Sequence, residues 1–461
     1  MAEGKKFSQR MSDSDALMWN IEKDPALRST ITAISILDRA PDRDRVQAKL
    51  ERGTRLIERL RQRPVSSPFA VAPPRWMVDP NFDLSFHMRW LGCPGNGTMR
   101  DLLDLAAPMA MRGFDRARPL WETVIVEGLE DGRAAMIQKV HHAVTDGVGG
   151  VEIALMLLDT DRDAPADADM PAAPEPEHLS SQDLITDGLA HEGRRMLGIA
   201  RRTIEGAPGV ITNPQQTAAT LVDTVQSAVR MMAPTPTPLS PIMTGRSLSV
   251  RFDILSASLS DMKRAAKKAD GRLNDALLAA VAGGFRRYHE AHGVACEAVR
   301  ISMPISLREA GSESLGGNEF APARFPLPIM IDDPIERMAA VRAIVAEQRG
   351  EPALRLANGI AGILNRFPTT MVTGLFGGML KTVDCVVSNV PGVPFEVFLC
   401  GGRVDAQYAM GPLAGAAVNI TLLSHLDDIH LGIVTDKAGV PDAELLVECL
   451  EDGIKEILKL A

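Results

Sequence analysis

Residues 136–150, "MIQKVHHAVTDGVGG", place two imidazoles and a carboxylate, His141, His142 and Asp146, within a few positions of an apolar run. Imidazole is the side chain that exchanges protons near neutral pH. On a strand, neighbouring side chains leave opposite faces, so His141 and His142 do not converge easily on one ion. A metal pair would prefer i and i+2 on a strand, or i and i+4 on a helix. The other histidines, His87, His178, His191, His289, His292, His425 and His430, show no ligand spacing, and no metal site is expected. A core strand with hydrogen-bonded imidazoles is the plainer alternative. Against it, Asp146-Gly147 ends the strand, and Gly147, Gly149 and Gly150 let a buried helix start close by. Such a strand end holds a reactive group rigidly: one histidine anchors, and the other faces an inter-domain space as general base.

"TITAISIL", "WETVIVEGL" and "AAMIQKVHHAV" are short and β-branched, and read as strands. "RDRVQAKLERGTRLIERL" puts Val46, Leu50, Ile57 and Leu60 on one helical face. Residues 159–178, "DTDRDAPADADMPAAPEPEH", have almost nothing to bury and read as linker. Helical patterns follow near 182–204 and 216–232, and "APTPTPLSP" closes the connector at residue 241. Beyond it, "VRISMPIS" alternates with Val299, Ile301, Met303 and Ile305 on one side. "AAVNITLLSHLDDIHLGIVTD" predicts a hairpin turning at Leu426–Asp428, and "DAELLVECLEDGIKEILKL" an amphipathic helix opened by Asp442, with Leu445, Cys449 and Ile457 inward. The expected organisation is residues 1–160, a connector 161–245, and residues 246–461: two α+β halves with a ligand cleft between them.

Composition narrows the class. The 461 residues are 45% hydrophobic and 24% charged, with aromatics at only 4%, so core volume must be aliphatic. A net charge of −9, with Lys and Arg spread along the chain, argues against nucleic acid. Five scattered cysteines, Cys93, Cys296, Cys385, Cys400 and Cys449, read as reduced thiols, and the N-terminus lacks the apolar core of a signal peptide. The expected setting is cytoplasmic. The most apolar stretch, residues 356–380, is interrupted by Asn358, Asn365, Arg366 and Pro368. A buried helical pair is the default there, and a surface that meets lipid the alternative.

"HHAVTDG" matches HHxxxDG, the signature of the CoA-dependent acyltransferase superfamily. Around it, "RWMVDPNFDLSFHMRWLGCPG", "FDRARPLWE", "RLNDALLAAVAGGFRRY", "ISMPISLR", "GGNEF" and "VVSNVPGVP" follow the order and approximate spacing of bacterial wax ester synthase/diacylglycerol acyltransferases. The chain resembles that family from about residue 10 to its end. The resemblance implies two chloramphenicol-acetyltransferase-like mixed α/β sandwich domains joined by a long connector, with the active site in the cleft or tunnel between them. It implies an O-acyltransferase that moves a long acyl group from acyl-CoA, a co-substrate with no other cofactor, to diacylglycerol or a fatty alcohol. Peripheral contact with membrane or lipid inclusions would accompany such substrates. The alternatives are a relative using another hydroxyl or amine acceptor, and a lipid-binding paralogue with little turnover.

By the same resemblance His142 is the base, His141 an anchor, and Asp146 a loop-fixing carboxylate for which Arg308 is the candidate partner. Pro119, Leu120 and Trp121 shape the acyl or acceptor tunnel, or form a buried turn. Asn274 and Asp275 reach the active site, or cap a helix with Asn274 as N-cap. Asn389 offers a donor to the tetrahedral oxyanion, or organises a turn. The chain departs from the family in three places: "EKDPALRSTITAI" replaces a Pro-Met-His-Val-Gly-like segment, "LSPIMTG" replaces Asn-Gly-Pro-Ile-Gly, and Val393 follows "SNVPG" where proline is common.

Overall fold

In the computed structural model the described residues are 7–68, 72–145, 147–165, 169–212, 237–306, 320–351 and 357–461. Asp146, Arg308, the helical pattern at 216–232 and most of "GGNEF" lie outside them.

The first half runs α1 (Asp13–Ile21), β1 (Thr30–Leu37), α2 (Arg43–Leu56), β2 (Gln62–Val65), β3 (Arg75–Val78), α3 (Leu84–His87), β4 (Met88–Gly92), α4 (Met99–Met111), β5 (Trp121–Glu127), β6 (Ala134–His141) and α5 (Gly147–Leu155). The connector carries α6 (Ser181–Thr212), which extends beyond the expected 182–204. The second half runs β7 (Val250–Ser258), α7 (Leu259–Lys267), α8 (Leu273–Ala291), β8 (Ala298–Ser306), β9 (Phe320–Pro328), α9 (Pro334–Arg349), α10 (Ala357–Leu364), α11 (Thr369–Leu380), β10 (Cys385–Val390), β11 (Phe398–Leu399), β12 (Gly402–Met410), β13 (Val418–His425), β14 (Asp428–Asp436) and α12 (Ala443–Leu458).

Two six-stranded mixed sheets result, ordered β11-β12-β1-β6-β5-β4 and β7-β14-β13-β10-β8-β9. The first is completed by strands from beyond residue 246: β12 pairs antiparallel with β1, setting Ala33 opposite Ala409 and Ser35 opposite Gln407. The stretch 246–461 is therefore not closed in space. Alternation fixes which face of a strand is buried but not which chain segment lies beside it. Where the sheets cross, Gly432 makes room for the first sheet: a Cβ there would stand 2.2 Å from the Ala409 carbonyl oxygen.

Local signals explain most elements. Val299, Ile301, Met303 and Ile305 of β8 are all buried, with Leu277 and Val281 of α8 and Leu446 and Leu450 of α12 in the same core; burying such an aliphatic side chain contributes about 1.5–3 kcal/mol. Asp42 caps α2 by accepting the Arg45 N–H at 2.9 Å. That helix stops at Leu56, short of the predicted face, because Ile57 leaves helical geometry (φ −106°, ψ 85°); Ile57 and Leu60 are buried all the same. The β13–β14 hairpin turns through Leu426 at φ +53°. Strand β6 ends at His141, so His142 begins the turn rather than continuing the strand.

Candidate active site

The two histidines part where β6 ends, His141 on its last residue and His142 on the turn, and long-range contacts give each its place. His141 is 1% exposed and lies inside the first half. Its backbone N–H donates to the Leu120 carbonyl at 3.0 Å. The Ala143 N–H donates to its Nδ1 at 3.0 Å. A backbone N–H can only donate, so Nδ1 is the acceptor nitrogen and Nε2 carries the proton. Nε2 is 2.9 Å from Glu22 Oε1 and donates to it. The edge of the ring meets Trp19, with centroids 5.3 Å apart.

Glu22, at the end of α1, also accepts the Ser29 N–H at 2.6 Å, and the Ser29 carbonyl accepts the His142 N–H at 2.8 Å. One carboxylate thus braces the His141 ring and the segment that holds the His142 backbone. Burial by itself would raise the Glu22 carboxyl; the hydrogen bond from His141, the Ser29 N–H and the nearby Arg116 cation outweigh it and leave it below its ordinary value. Sequence reasoning missed Glu22. Nothing within "NIEKDP" marks it, since its partner is 119 residues away.

His142 is half-buried and lines a cavity of about 500 Å³ that runs between the halves. On the first-sheet side the wall includes Ile31, Trp121, Val140 and Gly147; on the second it includes Ser302, Ser388, Asn389, Val390 and Thr421, with Phe376 and Met379 from α11. Gly147 opens α5 against the opposite half: a Cβ there would stand 2.8 Å from Val390 Cγ2. The HHxxxDG loop therefore touches the "SNVPG" segment through a residue with no side chain.

The remaining expected site residues divide. Trp121 lines the cavity, donates from its indole N–H to the Leu60 carbonyl at 2.7 Å, and stacks on His87 with centroids 4.6 Å apart. Pro119 and Leu120 are buried outside the lining, and Leu120 packs with Trp19 and Trp76. Asn274 is not the N-cap; Arg272 holds that place, and Asp275 reaches back to accept the Arg272 N–H at 2.7 Å. The aspartate at the third helical position supplies the acceptor for the chain start, which leaves Asn274 free to point elsewhere. Its Oδ1 accepts from Asn389 Nδ2 at 2.5 Å. Asn389 lies in β10 rather than a turn, so the Asn-Asp and "SNVPG" motifs meet at the cavity wall. Among the described residues no group of three His, Cys, Asp or Glu is placed to hold a metal ion, and no helix is long and apolar enough to cross a membrane.

The sequence matches the wax ester synthase/diacylglycerol acyltransferase catalytic domain over residues 11–277, and the C-terminal domain of the same family over residues 316–458. The chain belongs to this family. It is an acyltransferase, and acyl transfer to a lipid hydroxyl is the family's chemistry. A Mycobacterium tuberculosis protein that carries the name diacylglycerol O-acyltransferase is 37% identical over 463 residues, covering 100% of this chain and 94% of that protein. A second one is 30% identical over 475 residues, covering 98% of each. Among solved structures, the wax ester synthase/diacylglycerol acyltransferase of Marinobacter aquaeolei VT8 superposes with a TM-score of 0.63 at 22% identity, covering 97% of this chain and 98% of that one. The first condensation domain of the calcium-dependent antibiotic synthetase superposes with a TM-score of 0.64 at 16% identity, covering 98% and 95%. The two-domain fold is thus the one the motif implied.

Proposed function

We propose that His142 is the general base of acyl transfer from acyl-CoA to diacylglycerol or a long-chain alcohol. The supporting observation is its position: among the described residues, the one imidazole on the wall of this cavity, at the junction of the two halves, with its backbone held by Ser29. The imidazole takes the acceptor hydroxyl proton as the oxygen attacks the thioester carbonyl. The tetrahedral intermediate collapses with cleavage of the carbon–sulfur bond, and the imidazolium returns its proton to the departing CoA thiolate. Asn389 donates one amide N–H to Asn274 and has a second for the tetrahedral oxygen. A mostly aliphatic cavity suits a greasy acceptor and excludes the water that would hydrolyse the thioester. The test is thiol release from palmitoyl-CoA with dioleoylglycerol or hexadecanol. Ester formation with either supports the reading; the absence of acceptor-dependent release with any lipid alcohol would sink it.

The same enzyme would work at a lipid surface in the cytoplasm. All five cysteines are free thiols, in keeping with a reducing compartment. Helix α11, "TTMVTGLFGGML", has no charged residue. Its inner face lines the cavity with Phe376, Met379 and Leu380, while Met371 (64% exposed) and Leu375, with Phe367 just before, face outward. Lys23 and Lys381 stand at its edge, and Arg366 ties it to Glu192 of α6 at 2.6 Å; α6 itself exposes Leu189, Met196 and Leu197. A surface helix that is apolar on both sides fits a lipid–water boundary better than bulk water. A Met371→Asp/Leu375→Asp double variant is expected to lose flotation with triolein emulsions while turning over detergent-dispersed substrates normally. Equal flotation of variant and wild type would remove this surface from consideration.

A further inference from the structure

On the cavity-facing side of the first sheet the rung nearest His142, of Ile31, Val140 and Trp121, is apolar, and the rungs beyond it carry polar side chains. Register sets Thr123 of β5, Gln138 of β6 and Ala33 of β1 side by side, and on the next rung Ser35 beside Gln407. Thr123, Gln138, Ser35 and Gln407 all line the cavity. Ser35 Oγ accepts from Gln407 Nε2 at 3.3 Å. The Gln138 amide, half-buried, has no hydrogen-bond partner among the described residues. Across the space stand Leu50, Ile153 and Leu157 of α2, α5 and its end, which offer no polar atom from their side chains.

We propose that this rung is a subsite for a hydroxyl or similar hydrogen-bonding group carried in the middle of a long aliphatic chain. The proposal rests on the acyl-transfer reading only for the direction of entry. With the reacting carbonyl at His142, just past the strand end, Gln138 lies four residues back, at most about 13 Å at ~3.3 Å per residue. That depth corresponds to the middle of a long acyl or alkyl chain. An unsubstituted chain passing this point strips water from the Gln138 amide and leaves it unpaired. A chain hydroxylated there replaces the lost water bond, and a site built to hydrogen-bond a hydroxyl discriminates against the analogue without one. Thr123 adds a hydroxyl beside the Gln138 amide on the same rung, so the incoming group can both donate and accept.

The test compares ricinoleoyl-CoA with oleoyl-CoA, which differ by one hydroxyl about two-thirds of the way along the chain. A parallel arm compares ricinoleyl alcohol with oleyl alcohol and shows whether the acyl or the acceptor chain occupies the branch. In at least one arm the hydroxylated member is expected to have the higher kcat/KM, by roughly three- to tenfold. Gln138→Leu should abolish or invert that ratio while raising turnover of the plain chain. Equal kcat/KM values in both arms, or a ratio indifferent to Gln138→Leu, would overturn the proposal. Calorimetric binding of ricinoleic and oleic acids to wild type and Gln138→Leu reads the subsite without turnover. Preferential binding of the hydroxylated acid in wild type alone supports the subsite even if no ester forms, and loss of ester formation alone counts against the acyl-transfer reading instead.

Discussion

His142→Ala is expected to lower acceptor-dependent CoA release by ~10²–10⁴-fold, the usual contribution of a positioned general base. The loss should fall on kcat, because the imidazole acts on the proton in flight and the cavity walls that bind the chains are unchanged. The fold should survive: the His142 side chain is only half-buried and faces the cavity, and its backbone N–H, bonded to Ser29, is kept in alanine. A melting temperature close to wild type, together with the lost activity, would assign the chemistry to the ring. Turnover within a few-fold of wild type would place the base elsewhere.

Glu22→Ala is expected to have the next largest effect, on stability and on rate together. It strands two buried donors, the His141 Nε2–H and the Ser29 N–H, at about 1–3 kcal/mol for each unsatisfied group. Glu22 touches no substrate in this scheme; it positions His142 through Ser29. The expected signature is a fall in kcat with KM little changed, and partial recovery in Glu22→Gln, whose amide oxygen can still accept. A change in KM alone would contradict a positioning role.

Glu22 also sets a pH dependence. Its carboxyl titrates below the ordinary value of 4.5 in the folded protein, so the unfolded chain binds the proton first as pH falls. The stabilisation is complete above about pH 4.5 and is lost as pH drops through the lower folded value. Denaturant titrations from neutral pH into this acid window should therefore fall less steeply for Glu22→Gln than for wild type.

Much of this architecture was legible locally. The alternation of β8, the capped start of α2 and the amphipathic α12 each follow from spacing, because one turn or one pleat determines which face is apolar. The choice of His142 came from resemblance to the HHxxxDG family rather than from spacing, and β6 ends at His141, so the turn rather than the pleat places the second ring. Where local reading failed, a more distant group had displaced the local preference. Asn274 is a good N-cap by type, but Asp275 already serves the chain start and Asn389 claims the amide. Asn389 reads as a turn residue until β10 is paired with β13, which sets it opposite Leu422.

By itself the sequence determined the family, the α+β class and the motif that supplies an imidazole, each carried by short motifs that are legible locally and follow one another along the chain. Only the tertiary structure decided which carboxylate braces that motif, that β12 crosses into the first sheet, and that Gly147 meets Val390. It also decided that a polar rung lies inside an aliphatic cavity. Period and composition state that a face is buried; the partner it is buried against, often more than a hundred residues away, is chosen by packing of the whole chain.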